Sequence, residues 1–154
     1  MSVSSVVTLA FLHHAAAFVI VGVLTAELVM LGGELTPTSA RSILRMDAAY
    51  GIAATVLLIV GFGRVLYTEK GPAYYFHSAP FLVKISLFLI VGLLSIYPTL
   101  QYLGWRGALR AGRAPALAAS VRRRLRMIVH VELTLLFVIM LCAAMMARLI
   151  GFFG

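Results

Sequence analysis

The residues of this chain that can do chemistry sit where they are costly to keep. His13, His14 and Glu27 interrupt the apolar run SVVTLAFLHHAAAFVIVGVLTAELVML, Ser5 to Leu31. Ionisable groups at membrane depth face a protein interior, a cavity or a cofactor. Sorted by depth along the chain, such residues form two groups. The outer one holds His13, His14, Arg64, His77, Lys84 and Arg148; the inner one holds Glu27, Arg45, Asp47, Arg126, His130 and Glu132. Each mixes signs, or donors with acceptors, as polar groups buried in lipid require.

The outer group has the inventory of a haem b site. A transmembrane bundle holds haem through an axial His, with the propionates paired to Arg or Lys near a surface. Here His13 or His14 is the candidate ligand, and Arg64, Lys84 or Arg148 the candidate propionate partners. His77 folding over the site, or a deprotonated Lys84, is the candidate second ligand. His130 lies in the inner half, about 10 Å or more from the level of His13. The same residues also suit snorkelling, helix capping and interhelical hydrogen bonds, with Glu27 and Asp47 paired to Arg45 or Arg126. The Met140, Met145 and Met146 stretch reads as packing.

Helical phase refines the sorting. His13 and Glu27 are close to four turns apart, about 21 Å, and share a face with Ala10, Ala17, Ile20 and Leu24. His14 points about 100° away, which makes His13 the inward one and His14 an interface residue. In the last apolar run, Arg126, His130, Thr134, Phe137, Leu141 and Arg148 share a face, and Glu132 points about 200° from it, in need of its own partner.

Four apolar runs must position these groups. Hydrophobic residues make up 62% of the 154 and charged ones 12%, with a mean hydropathy of +1.04, which excludes a water-soluble domain. A helical span needs about 20 apolar residues. The runs at about 6–31, 47–66, 81–103 and 127–150 qualify, punctuated by Gly32-Gly33 and Pro37, by Gly71-Pro72, and by Pro80. The expected fold is all-α: one transmembrane domain, an integral membrane four-helix bundle. The N-terminal run lacks a Lys or Arg before it and reads as a retained span rather than a cleaved signal.

The net charge of +8 would raise the question of nucleic acid in a soluble chain. Here topology and anionic lipid explain it, and no nucleic-acid partner is expected. Arg41 and Arg45 lie between the first two runs; Arg106, Arg110, Arg113, Arg122, Arg123, Arg124 and Arg126 lie between the last two. Arg64, Lys70, Lys84 and Arg148 lie toward the other side. The positive-inside rule puts the first set in the cytoplasm and both termini outside, in the periplasm for a bacterial inner membrane. Tyr74, Tyr75 and Phe76 mark the outer interface, Tyr102 and Trp105 the inner one. The lone Cys142 forms no internal disulfide, and a zinc-type cluster is absent from the sequence.

Three motifs carry a resemblance: FLHHAAAF in the first run, RMDAAYGI opening the second and FLVKISLFL opening the third. Together they resemble the four-helix bacterial membrane protoporphyrinogen IX oxidase family. The matching positions are Leu12-His13, Met46-Asp47 with Tyr50-Gly51-Ile52, and Lys84; in the fourth run only Glu132-Leu133 matches the family's Asn-Glu-Leu-Pro. Over almost its whole length the chain is also similar to an uncharacterised family of small four-span bacterial membrane proteins. The oxidase resemblance implies b-type haem on His13 and an essential basic residue at Lys84, with Lys84 and Glu132 as candidate catalytic residues.

The expectation is therefore a haem b-binding inner-membrane redox protein acting on a porphyrinogen or quinol, with Glu27, Asp47, His130 and Glu132 as an inner proton or assembly site. The alternatives are a non-catalytic membrane subunit or assembly partner, and a small proton or ion pathway. Gly51, Ala54, Gly61, Ala143 and Ala147 permit close helix packing within the chain or in a homo-oligomer.

Overall fold

The computed structural model describes residues 3–67, 71–148 and 150–153; Lys70 lies outside them. Four long helices carry the fold: α1 (Val3–Gly32), α2 (Pro37–Tyr67), α4 (Ala79–Gly104) and α6 (Ala119–Ala147). Two short ones, α3 (Gly71–Phe76) and α5 (Arg106–Arg110), lie at opposite ends. The four long segments are long and apolar enough to cross a membrane. As helices they satisfy their own backbone there. Large apolar side chains such as Phe11, Phe18 and Phe137 cover the outside, as lipid contact requires.

The helices outrun the apolar spans. α2 starts at Pro37 and α6 at Ala119, because an apolar run marks the stretch immersed in lipid and not where helix begins. Local chemistry sets the start of α2. Pro37 suits the first helical turn, where its missing N–H is no loss. Thr36 and Ser39 exchange hydrogen bonds, the Ser39 N–H to Thr36 Oγ1 at 3.1 Å and the Thr36 N–H to Ser39 Oγ at 2.9 Å, the reciprocal pattern of a helix cap. α4 continues through Pro98.

Successive long helices run antiparallel, so both termini lie at one end, the terminal end, and the arginine-rich connections at the other. α1 packs along α2 and α4 along α6, and α1 also meets α6. The larger apolar core, around Ile20, Leu24, Ile43, Leu125 and Val129, fills the arginine-rich half. A smaller one, Val65, Phe81 and Met146, sits near the terminal end. Space is left between them.

The C-terminal tail closes the terminal end. The Ala79 N–H donates to the Gly151 carbonyl and the Phe153 N–H to the His77 carbonyl, both at 3.0 Å. Phe152 stacks on Tyr74 at 5.3 Å, and the Tyr74 hydroxyl donates to the Met146 carbonyl at 3.0 Å. Gly151 has φ +77°, and a Cβ there would come within 2.8 Å of Pro80 Cδ. Only glycine fits this turn without strain.

Candidate functional site: a cationic cavity and a buried carboxylate cluster

Between the two cores lies a cavity of about 390 Å³, lined from α1, α2, α3, α4 and α6. His13, His14, Arg64 and Lys84 contribute its polar groups, and Leu57, Phe62, Ile85, Phe88 and Ile139 are among its apolar walls. Tyr74 and Tyr75 from α3 line it too. Among the described residues that line it there is no carboxylate. Lys84 Nζ lies 5.5 Å from the centroid of the Phe81 ring, a cation–π contact that leaves its N–H donors available. His13 lies within electrostatic reach of Lys84 and Arg64.

The two histidines differ in how they are held. His13 is half-buried and packs on Gly61, where a Cβ would come within 3.4 Å of its Cε1. Its Nδ1 is buried without a hydrogen-bond partner. His14 is exposed yet lines the same cavity. Its Nδ1–H donates to the Ala10 carbonyl at 2.6 Å, and its ring meets that of His13 edge-on at 6.1 Å. His14 is therefore more than the interface residue its helical phase suggests.

His77 and Arg148 stand apart from this group. His77 donates from Nδ1 to the Ala73 carbonyl at 2.8 Å and packs on Phe153 at 5.8 Å. It belongs to the tail clamp and does not fold over the cavity. Arg148 is the exposed C-cap of α6 and is not among the cavity's lining residues. Of the outer group, His13, His14, Arg64 and Lys84 come together.

The inner group separates by sign. Glu27 and Glu132 are 2% and 1% exposed, on the bundle-facing sides of α1 and α6. The Oε1 atom of each is buried without a hydrogen-bond partner. Asp47 is within electrostatic reach of both; its Oδ1 accepts from Thr99 Oγ1 at 2.7 Å. The Tyr102 hydroxyl donates to Glu27 Oε2 at 3.3 Å, and Tyr50 faces the same carboxylates. The cations expected to answer them are elsewhere: Arg45, Arg126 and His130 are all exposed. The α6 face carrying Arg126, His130, Thr134, Phe137, Leu141 and Arg148 is a single face, and it is the outward one.

Tyr102 and Trp105 also correct an expectation. Both are buried, Tyr102 at 0% exposed, and their rings meet at 4.9 Å. A tyrosine at a span end suits the headgroup level, but its hydroxyl serves equally well to reach a buried carboxylate. Tyr50, Thr99 and Tyr102 are site residues that the sequence did not single out as such.

Among the described residues no three His, Cys, Asp or Glu side chains are grouped so as to hold a bare metal ion. A cofactor that brings its own metal needs fewer protein ligands, and the cationic cavity offers such a cofactor an imidazole.

Residues 5–151 match the model of DUF2214, a family described as predicted membrane proteins. The chain belongs to the DUF2214 family. That match covers all four long helices and agrees with the small multi-pass membrane family expected from the sequence. No curated protein and no solved structure matches the chain. These comparisons give no support to the resemblance of this DUF2214 member to the protoporphyrinogen oxidases.

Proposed function

We propose that the chain is a haem b-binding redox protein of a bacterial inner membrane, with the arginine-rich end in the cytoplasm and both termini outside. The observation that carries this reading is His13. Its imidazole lines an apolar cavity beside Arg64 and Lys84, with no carboxylate among the described lining residues. Cations gathered in an apolar cavity inside a membrane call for an anionic, otherwise apolar ligand. Haem b matches on each count: a flat apolar ring, an iron that takes imidazole, and two carboxylates.

His13, its ring held by Gly61 on one side and by the edge of His14, would offer the haem iron an imidazole. Arg64 and Lys84 would pair with the propionates. When bound, haem supplies one-electron chemistry, with a potential tuned by its axial ligand and burial. The apolar walls exclude water, and α3, pinned by the C-terminal tail, covers the terminal end. The molecule acted on in this reading is a porphyrinogen or a quinol.

A second reading is favoured by a separate observation. Glu27, Asp47 and Glu132 are gathered inside the bundle, with no cation among them in the described residues. A proton pathway or proton-coupled function uses such groups. The two readings are compatible in one bundle, since the groups occupy different levels.

The test is spectroscopic. Protein purified after expression with haem supplementation is expected to show a Soret band, and α and β bands in a reduced-minus-oxidised spectrum. Protein that stays colourless under those conditions overturns the haem reading.

A further inference from the structure

A second cavity, of about 760 Å³, opens on the outside of the bundle at the arginine-rich end. Arg122, Arg123, Arg126 and His130 line it, with an apolar wall that includes Leu28, Met127 and Val131. Among the described residues that line it there is no carboxylate.

Part of this cationic group has a task within the chain. Arg122 donates from Nη1 to the Gly33 carbonyl at 3.0 Å, and the Arg126 guanidinium lies against Gly32. Both serve the C-terminal end of α1, where helix carbonyls are left over and positive charge is favourable. Neither contact uses a whole guanidinium, which has five N–H donors.

Arg123 and His130 have no such task. Both are exposed. The His130 carbonyl accepts from Thr134 Oγ1 at 2.9 Å, but its imidazole makes no hydrogen bond among the described residues. An imidazole on the lipid-facing surface of a span needs something to bond. The start of α6 adds a conflict. Its N-cap, Ala118, makes no side-chain cap, and its first turn holds no acid. The free N–H groups there, at the positive end of the helix dipole, are followed by Arg122, Arg123 and Arg124. Like charges at that end are unfavourable, and an anion seated there would relieve both problems.

The shape of the groove narrows the kind of anion. Arg122 and His130 are about 12 Å apart along α6, so the cationic groups extend over about two turns beside the apolar wall of Leu28, Met127 and Val131. We propose that this groove binds an anionic phospholipid. Its phosphodiester sits against Arg123 and Arg126 beside the first turn of α6. One acyl chain lies along Leu28, Met127 and Val131. A guanidinium fork matches phosphate geometry, and basic pockets at the ends of membrane helices suit lipid headgroups. Free phosphate has no acyl chain to cover the apolar wall and is too weakly held by the arginines alone to displace the lipid. This inference is independent of the haem reading, because it concerns other residues on the outer surface.

The experiment is a lipid titration of the purified, detergent-solubilised chain by native mass spectrometry. Dioleoyl-phosphatidylglycerol is the probe, with dioleoyl-phosphatidylcholine and inorganic phosphate as comparison arms. Phosphatidylglycerol is expected to bind with one-to-one saturation, phosphatidylcholine weakly, and phosphate without competing. Arg123→Gln/Arg126→Gln is expected to weaken phosphatidylglycerol binding about 30-fold. Arg106→Gln/Arg110→Gln removes the same charge from α5, outside the groove, and is expected to weaken it less than about threefold. Because Arg126 touches α1, Arg123→Gln alone, at an exposed position, serves as the second variant and is expected to weaken binding about fivefold. Equal losses in the two double variants would reduce the site to diffuse attraction and overturn the proposal. So would equal binding of the two lipids, or full competition by phosphate.

Discussion

The two ends of this bundle treat charge in opposite ways. In the terminal half, His13, His14, Arg64 and Lys84 surround an apolar cavity with no acid among its described lining residues. In the arginine-rich half, Glu27, Asp47 and Glu132 are gathered inside while Arg45, Arg126 and His130 lie outside. A bundle built only for stability would pair these signs across its helices, since an unpaired ionisable group at that depth is expensive. Keeping them at separate levels along α1, about 21 Å apart, implies that each set is answered by something other than the opposite set. In the proposed reading, the cations are answered by an anionic ligand and the carboxyls by a proton pathway.

The largest expected effect comes from reversing the sign inside the cavity. Arg64→Glu/Lys84→Glu should abolish retention of an anionic cofactor, read as cofactor per protein after purification. Unchanged retention would mean that the cavity's charge has nothing to do with its ligand. Filling the space that His13 uses comes next. Gly61→Val places bulk against the imidazole and should cost about 1–3 kcal/mol by overpacking, with loss of any haem bands. A variant with unchanged bands and unchanged thermal stability would show that the ring is not held as described.

The contrast also fixes an expectation at the other end. Tyr102→Phe removes the only hydrogen bond to Glu27 seen among the described residues, and should lower stability by about 1 kcal/mol with cavity binding unaffected. Gly151→Ala should cost a similar amount, about 1–2 kcal/mol, because its left-handed backbone disfavours a Cβ that would also strike Pro80. Glu132→Gln should have the smallest effect on stability, leaving the melting temperature unchanged or higher, since a buried carboxyl whose Oε1 has no hydrogen-bond partner gives way to a neutral isostere. A clear drop would show that Glu132 has a charged partner, and the separation of signs would then be less complete than described.

Much of this was legible in the sequence, and what was not has a common cause. Helical period alone puts His13, Ile20, Leu24 and Glu27 on one face, and length with composition gives four spans. Period also puts Arg126, His130 and Thr134 on one face of α6, but it does not say that this face is outward. In water, polarity marks the outside. In lipid both faces are apolar, as exposed Phe137 and Leu141 and buried Leu125 and Val129 illustrate, so the sign of the face has to come from packing. Tyr102 was hidden for a related reason: tyrosine at a span end suits the interface and a buried hydrogen bond alike. The helical roof α3 and the tail clamp at Gly151 depend on contacts between distant parts of the chain, which local patterns do not reveal.

The central claim is that His13 is the group around which the cavity binds its cofactor. The most direct measurement compares reduced-minus-oxidised spectra of haem-supplemented wild-type protein with His13→Ala and His14→Ala, all at matched protein level and helicity. The account predicts b-type bands in wild type, their loss in His13→Ala and their retention in His14→Ala. Bands that survive in His13→Ala, or that disappear only in His14→Ala, would contradict it.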